Sequence, residues 1–541
     1  MYEKEGHRIP NMFSSRHSRI TAVIITFFTT LFTLSVFFYL SITPSSEFSL
    51  DQQEDQFSIH HYQDEGNLNI FESLKKPNLD LTLEGWKTWL GLNDGRNRKQ
   101  ESRDIRKLIS VFNERFPTDD EKPSTRSLNS PTLERLAHCI ETKSCGEGEE
   151  TVVILASFHF NNAYYGATNG EDIWARSSLE AFHSLNYTLL YTFSAMDTLT
   201  IYQGLKDKVK TILWEGSELK KCLARNQSNW EDLEVSHTPG TFQNQSKDEN
   251  QFGCIRKPDY PQGIPLEKSF TFHFWSGPEN PLGRHFTLSP ENYAMWNGGK
   301  GNHYLGYSIE TKCKAINLPS SRKHRGMVLG KYAQYFNMSS SEWAWGKEDA
   351  LGKSINAMPE MLNEETNQEE KFEMIATGGH DDNEGHHEDM YKGIKNLGSL
   401  PQHEWYQTLA SSKFLLGVGK PRMSPSPYDA LCFGVPFINP VMRWNKENPS
   451  DWTEWYAQHD ALRPYGPPYV YHVQKENQTQ LENAMKAAIE NPIQSFIPPP
   501  MSKESVRIRH QTLVETDWKP WAIAAVKELW TGQDKEFPYL I

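Results

Sequence analysis

Residues 414–440, FLLGVGKPRMSPSPYDALCFGVPFINP, limit what this chain can fold into more than any other stretch. The pattern predicts a buried strand, a Gly-Pro loop, a short helix carrying one acid, and a second buried strand. In a parallel α/β sheet, ligands bind outside the carboxyl ends of strands, where such loops open. Gly417 and Gly419 leave the backbone room to approach a ligand. Pro421, Pro425 and Pro427 stiffen the loop, and Pro427 suits the first turn of the helix. Asp429 follows in that turn, where a carboxylate is favoured and can accept two hydrogen bonds from a sugar diol. Two readings stay open for this stretch: a grip on a nucleotide ribose, or a tight strand-to-helix turn with a capping acid.

The same alternation of buried strand and amphipathic helix runs through most of the chain. TVVILASF, starting at Thr151, reads as a buried strand. A loop, HFNNAYYGATNGE, then leads to a helix over residues 172–185 with Trp174, Ser178, Phe182 and Leu185 on its inner face. Further strands are predicted at 188–194, 208–214 and 268–275. A charged segment, SSRKHR at 320–325, reads as a linker. A second series follows: GMVLGK, KFEMIAT, FLLGVG, VPFIN and YVYHV. Between them fall helices at 401–412, packed through Trp405 and Leu409, and at 478–490, packed through Leu481, Ala484 and Ala488. A Pro-rich break at 497–500 and the helical WAIAAVKELW close the chain. Such alternation predicts an α/β protein with two Rossmann-like, doubly wound domains facing a cleft. They are expected at residues 151–320 and 326–496, with a C-terminal helical extension over 497–541.

Residues 20–42, ITAVIITFFTTLFTLSVFFYLSI, carry no charge and are long enough to span a bilayer. Lys4, Arg8, Arg16 and Arg19 precede them; Glu47, Asp51, Glu54 and Asp55 follow. The positive-inside rule then predicts a cytosolic tail at 1–19, a type II signal anchor, and the remainder outside the cytosol. A cleaved signal peptide is the rival, but no small-residue cleavage site is evident. Residues 43–150 are polar and interrupted and read as a stem, partly disordered. Within it, 102–116 has helical spacing through Ile105, Ile109 and Phe112, able to pack on the body or against another stem.

The six cysteines allow 15 pairings; Cys139 and Cys145 suit a local bridge, whereas Cys432, on the apolar helix, reads as a buried thiol. Sequons stand at Asn186, Asn226, Asn244, Asn337 and Asn477 and agree with a lumenal body. The net charge of −13, with Lys and Arg scattered, excludes a basic stripe and argues against nucleic acid as a partner. GGHDDNEGHHEDM, with His380, Asp381, Asp382, His386 and His387, looks metal-binding at first sight, but lacks helix-borne ligand spacing and reads as a solvated acidic loop.

On several ordered pieces the chain resembles glycosyltransferase family 18, the N-acetylglucosaminyltransferases that add the β1,6 branch to N-glycan mannose. These are NGEDIW at 169–174, FTLSPENYAMW at 286–296, HYLGYSIE at 303–310, VLGK at 328–331, residues 400–440, and AQHDALRPYGPPYVYHV at 457–473. The resemblance implies a Golgi type II membrane enzyme of the GT-B type. It implies inverting, metal-independent transfer of N-acetylglucosamine from UDP-N-acetylglucosamine to a glycoprotein glycan, with no cofactor. Glu171 falls where the family has its catalytic base. Gly330 and Lys331 face the donor, and Gly417, Gly419, Ser424, Pro427 and Asp429 belong to the nucleotide-sugar site. Asp429 replaces a family Glu. The segment that carries a family phosphate-contacting Lys is shortened here, leaving Arg443 or Lys446 as substitutes. Trp275 and Trp296, with Tyr293, are candidates for stacking on acceptor sugars. No metal ligands are expected. Those two departures leave a second reading, a lumenal glycan-binding or scaffold protein derived from such a transferase and weakly active or inactive.

Overall fold

The computed structural model describes residues 94–115, 125–223, 253–337, 339–346, 350–363, 368–378, 393–531 and 537–541. The apolar segment at 20–42, most of the stem, the His-rich segment at 379–392, Asn226 and Asn244 lie outside them. Among the described residues no helix is long and apolar enough to cross a membrane.

Two helices come first, α1 (Asp94–Arg115) and α2 (Asn129–Thr142). They fall where the stem was expected, yet Ile105, Leu108, Leu133, Leu136 and Ile140 are buried in the core of the first sheet. For α1 this is one of the two packings its spacing allowed; for α2 it corrects the stem reading, and the cause is common: apolar residues at helical spacing give each a face that must be covered. Asn129 adds a polar tie, donating to the Tyr191 carbonyl (2.7 Å) and accepting from its N–H (2.8 Å).

The first sheet takes β1 (Val152–Ala156), β2 (Thr188–Tyr191), β3 (Val209–Trp214), β4 (Ser269–Phe272), β5 (Thr287–Ser289) and β6 (His303–Tyr304). They lie in the order β2-β1-β3-β4-β5-β6, with all pairings parallel. Its helices are α3 (Phe158–Tyr164), α4 (Gly170–Ser184), α5 (Ala195–Leu205), α6 (Gly216–Leu223) and α7 (Glu310–Lys314). The segment read as a loop after β1 is in fact α3, started by Ser157, whose side chain accepts from the His159 N–H. Trp174, Ser178 and Phe182 of α4 are fully buried as their spacing predicts, and Trp174 stacks on Phe272 with ring centroids 3.5 Å apart.

The second sheet begins with β7 (Arg325–Val328). After α8 (Ala350–Asn356) and a hairpin of β8 (Met361–Asn363) and β9 (Gln368–Glu370) come β10 (Glu373–Ala376) and β11 (Lys395–Asn396). Then follow α9 (Gln402–Ala410), β12 (Leu415–Leu416), α10 (Ser426–Cys432), β13 (Phe437–Arg443), β14 (Tyr456–Ala457), β15 (Val470–Gln474) and α11 (Gln478–Glu490). The parallel path reads β11-β10-β7-β12-β13-β15, with β14 antiparallel to the end of β13. In chain order this is 3-2-1-4-5-6, the doubly wound dinucleotide-fold order, so the switch point lies between β7 and β12. The segment read as a linker is docked rather than loose: Arg322 donates to the Phe433 carbonyl (2.8 Å) and to that of Ala410 (3.2 Å).

The last helices, α12 (Lys503–Glu515) and α13 (Lys519–Trp530), return to the first sheet. His510 of α12 meets Phe182 edge-on at 4.9 Å, and the Tyr187 hydroxyl donates to Glu515 at 2.9 Å. All six cysteines are paired: Cys139–Cys145, Cys222–Cys254 and Cys313–Cys432. Cys432 is therefore not a free thiol. It ties α10 of the second sheet to α7 beside the first. Buried Glu291 reinforces the tie, accepting from the hydroxyls of Tyr307 (3.3 Å) and Tyr428 (3.1 Å). Burial pushes its carboxyl up to about 8, so it is largely protonated at neutral pH.

Candidate active-site cleft

The carboxyl ends of β7 and β12 open onto a cleft of about 1280 Å³, roomier than the roughly 300–1,000 Å³ of an ordinary small-molecule pocket. The second sheet contributes Gly330 and Lys331 after β7 and residues 420–426 after β12; the first contributes Glu171 and Trp275.

The loop after β12 is fixed by the segment following β14. The Gln458 side chain accepts from the Gly419 N–H (2.7 Å) and donates to the Pro421 carbonyl (3.0 Å), while its own carbonyl accepts from the Met423 N–H (3.1 Å). His459 donates from Nε2 to the Ser424 carbonyl at 3.0 Å; burial drives its pKa down to about 3, so it is neutral. Asp460, also buried, pairs with Arg422 and lies 3.8 Å from Arg463. Burial raises its carboxyl despite both guanidinium groups.

This architecture changes the purpose of the two glycines. A Cβ on Gly417 would run into Gln458 and Pro440, and one on Gly419, whose φ is 107°, would overlap the Glu342 carbonyl. Neither lines the cleft. They let protein approach protein. Gly330 does line it, and is backed by the Phe336 ring where a side chain would clash.

Asp429 stands in the first turn of α10, after Pro427 in that same turn. Pro427 is buried and serves the helix start. Ser424 and Asp429 both line the cleft. Asp429 is only 4% exposed and its carboxylate has no hydrogen bond among the described residues, so what exposure it keeps is toward the cleft. Burial pushes its pKa up to about 7, partly offset by the Lys312 charge.

On the opposite wall, Glu171 occupies the first turn of α4, half-buried and lining the cleft. Its neighbour Asp172 faces inward, bonded to His159 Nδ1 (2.7 Å) and to the Asn169 amide (3.2 Å). The walls nearly touch here: Lys331 donates to the Asn169 side chain at 3.2 Å, and a Cβ on Gly170 would lie 3.9 Å from Pro425. Trp275, 49% exposed, lines the cleft, whereas Trp296 does not. Trp296 packs edge-on against Tyr293 and under the Arg463 guanidinium. Tyr293 is buried and donates to the Phe274 carbonyl at 2.7 Å, so it is not available for stacking on a ligand.

The cations on the cleft are Lys331, Lys420 and Arg422; neither Arg443 nor Lys446 reaches it. Arg443 lies over the Tyr456 ring at 4.2 Å, and Arg422 lies over the same ring at 3.9 Å. Lys420 is paired with Glu342, and Arg422 with Asp460. Sequence reasoning missed Arg422, although a cation in the KPRMSP loop at a strand's carboxyl end was visible. It also missed Asn169, which sits in the quoted NGEDIW piece.

Residues 267–532 match the family model Glycosyltransferase family 18. The human alpha-1,6-mannosylglycoprotein 6-beta-N-acetylglucosaminyltransferase A is 24% identical over 279 residues, 48% of this chain and 34% of that protein. The Caenorhabditis elegans alpha-1,6-mannosylglycoprotein 6-beta-N-acetylglucosaminyltransferase is 31% identical over 118 residues, 20% of this chain and 18% of that protein. The chain thus spans about a third of the length of the former. Among solved structures, AviGT4, a glycosyltransferase involved in avilamycin A biosynthesis, superposes on 71% of this chain and 98% of its own, at 9% identity and a TM-score of 0.33. An O-GlcNAc transferase from Thermobaculum terrenum covers 71% and 68%, at 8% identity and a TM-score of 0.32.

Proposed function

Because this chain belongs to glycosyltransferase family 18 through residues 267–532, we propose that it is an inverting β1,6-N-acetylglucosaminyltransferase using UDP-N-acetylglucosamine and a mannose-containing N-glycan. The observation that carries the reading is the cleft. Two carboxylates from different sheets, Glu171 and Asp429, line one cavity at the switch point of the second sheet.

In this reaction the acceptor hydroxyl oxygen attacks the anomeric carbon of the donor sugar, and the bond from that carbon to the diphosphate breaks. The hydroxyl proton passes to Glu171, and UDP leaves with the bonding electron pair. A base within hydrogen-bond reach of the hydroxyl contributes about 10² to 10⁴ in rate. Glu171 suits that task because its carboxylate has no partner among the described residues and faces the cavity. Asp429 accepts from the ribose hydroxyls. Arg422, Lys331 and Lys420 meet the diphosphate, charge-assisted contacts being about twice as strong as neutral ones. Trp275 offers an apolar face to the acceptor sugar.

We assign this reaction no metal requirement, a reading supported by Lys331, Lys420 and Arg422 lining the cleft. The site of action is the Golgi lumen, with residues 20–42 as the anchor. Three disulfides among the described residues support an oxidising compartment. A donor screen on the full chain, read by product mass with and without EDTA, tests the whole reading. Transfer of N-acetylglucosamine from the UDP donor, unchanged by EDTA, is expected. Glycan binding with no nucleotide-sugar turnover would replace the enzyme by a binding protein.

A further inference from the structure

Lys312, which the reaction above does not use, does not itself line the cleft. It belongs to α7, next to Cys313, whose disulfide reaches Cys432 of α10. Asp429 lies three residues before Cys432 in the same helix, so both point from one face. The disulfide and the packing of α7 on α10 hold Lys312 in the neighbourhood of Asp429. Lys312 Nζ is shut off from solvent and has no hydrogen-bond partner among the described residues. An ammonium offers three donors and no acceptor, and enclosing one unbonded is costly unless an opposite charge answers it.

The groups facing this pair are few. From α4, Glu180 attracts and Arg176 repels the ammonium. Glu180 is itself engaged, accepting from the Thr311 hydroxyl at 2.6 Å. Arg176 is turned away, donating to the carbonyls of Ala163 and Ala167. Around Asp429 the other titratable neighbours are the phenols of Tyr307 and Tyr406, both kept neutral by burial. Among the described residues, Lys312 is thus the cation that answers Asp429.

We propose that Lys312 is a positioning residue for nucleotide recognition, supplying the fixed counter-charge to the Asp429 carboxylate as it accepts the two hydroxyls of a nucleotide ribose. This rests on the reading of Asp429 as the ribose acceptor. The logic is electrostatic: the ionised carboxylate accepts charge-assisted hydrogen bonds on both oxygens, protonation turns one oxygen into a donor and weakens the grip, and a nearby ammonium favours the ionised form. Burial works against it, leaving Asp429 titrating at about 7, within reach of physiological pH. Burial also lowers Lys312 to about 8, so the ammonium is present over the range where Asp429 ionises.

The test is UDP binding to the full chain by calorimetry between about pH 5.5 and 8.5, for the wild type, Lys312→Met and Lys312→Arg. Wild-type affinity should fall as the pH drops through about 7, where Asp429 takes up a proton. In Lys312→Met the fall should begin at higher pH, with affinity about fivefold weaker at neutral pH for a displacement of about one unit. Lys312→Arg, which keeps the charge, should restore the wild-type profile. UDP lacking both ribose hydroxyls should bind weakly and respond little to pH or to either substitution. A wild-type profile in Lys312→Met overturns the inference and leaves the nucleotide reading standing. No UDP binding by the wild type at any pH overturns the nucleotide reading itself. Removing one partner of a buried charge pair can cost about 3–5 kcal/mol, so the melting temperature of each variant is measured alongside. Should Lys312→Met fail to fold, Lys312→Gln, neutral and polar, takes its place with the same expected profile.

Discussion

Glu171 and Asp429 stand in the first turns of helices on opposite walls of one cleft, yet their surroundings differ. At the start of α4 only one polar side chain, that of Glu171, is left without a polar contact among the described residues. Asn169, its N-cap, makes no capping bond and instead spans Asp172 and Lys331, and Glu171 is left half-buried without a partner among the described residues. At the start of α10 the backbone is held from several directions. Gln458, His459 and Asp460 grip successive residues of the preceding loop, and Tyr428 and Cys432 tie the helix to the other half of the molecule. The difference follows from the work we assign to each wall. A base must meet an acceptor hydroxyl on a large and variable glycan. A nucleotide is one fixed shape, and prepaid order on that side lowers the cost of binding it.

The comparison breaks most visibly at Glu171. Glu171→Gln should lower turnover by about 10² to 10⁴ while leaving UDP affinity as it was. A variant with undiminished turnover would remove Glu171 from the base role. The second wall should fail differently. Gly419→Ala forces a side chain onto a left-handed backbone and into the Glu342 carbonyl, and should cost at least about 2–3 kcal/mol, seen as a lowered Tm together with weakened UDP binding. Unchanged melting would mean that the loop is not held as described. The smallest effect is expected at Trp275. Trp275→Ala removes a stacking face worth about 0.5–1.5 kcal/mol, so acceptor KM should rise up to about tenfold with the donor KM unmoved. A change in donor KM instead would place Trp275 on the nucleotide side.

How much of this was legible in the sequence differs between the same two walls. The second sheet announced itself because buried parallel strands are short continuous apolar runs, and FLLGVG and VPFIN are bounded by Gly and Pro. Its helices showed their inner faces through Trp405, Leu409, Leu481 and Ala488 in the same way. The first wall was harder. HFNNAYYG is too polar and Gly-bounded to show helical periodicity, and only Ser157 as a cap hinted at α3. Leu133, Leu136 and Ile140 did carry helical spacing, but the polar chain around them was read as stem. The purposes of Gly417 and Gly419 could not be read locally, because Gln458 and Glu342 reach them from distant parts of the chain. The partner of Cys432 lies 119 residues away, a separation from which no pairing can be deduced. The candidate site was thus visible as residues and hidden as contacts: Asp429 was evident, Lys312 was not.

The most direct test of the division between the walls is UDP binding by calorimetry at about pH 8, above the Asp429 titration at about 7, for Glu171→Gln and Asp429→Asn side by side. We predict wild-type affinity for the first. For the second, loss of the charge-assisted ribose contacts, each worth about 1.5–3 kcal/mol, should weaken binding by at least tenfold. Wild-type affinity in Asp429→Asn, or a comparable loss in Glu171→Gln, would contradict the assignment of nucleotide to one wall and base to the other.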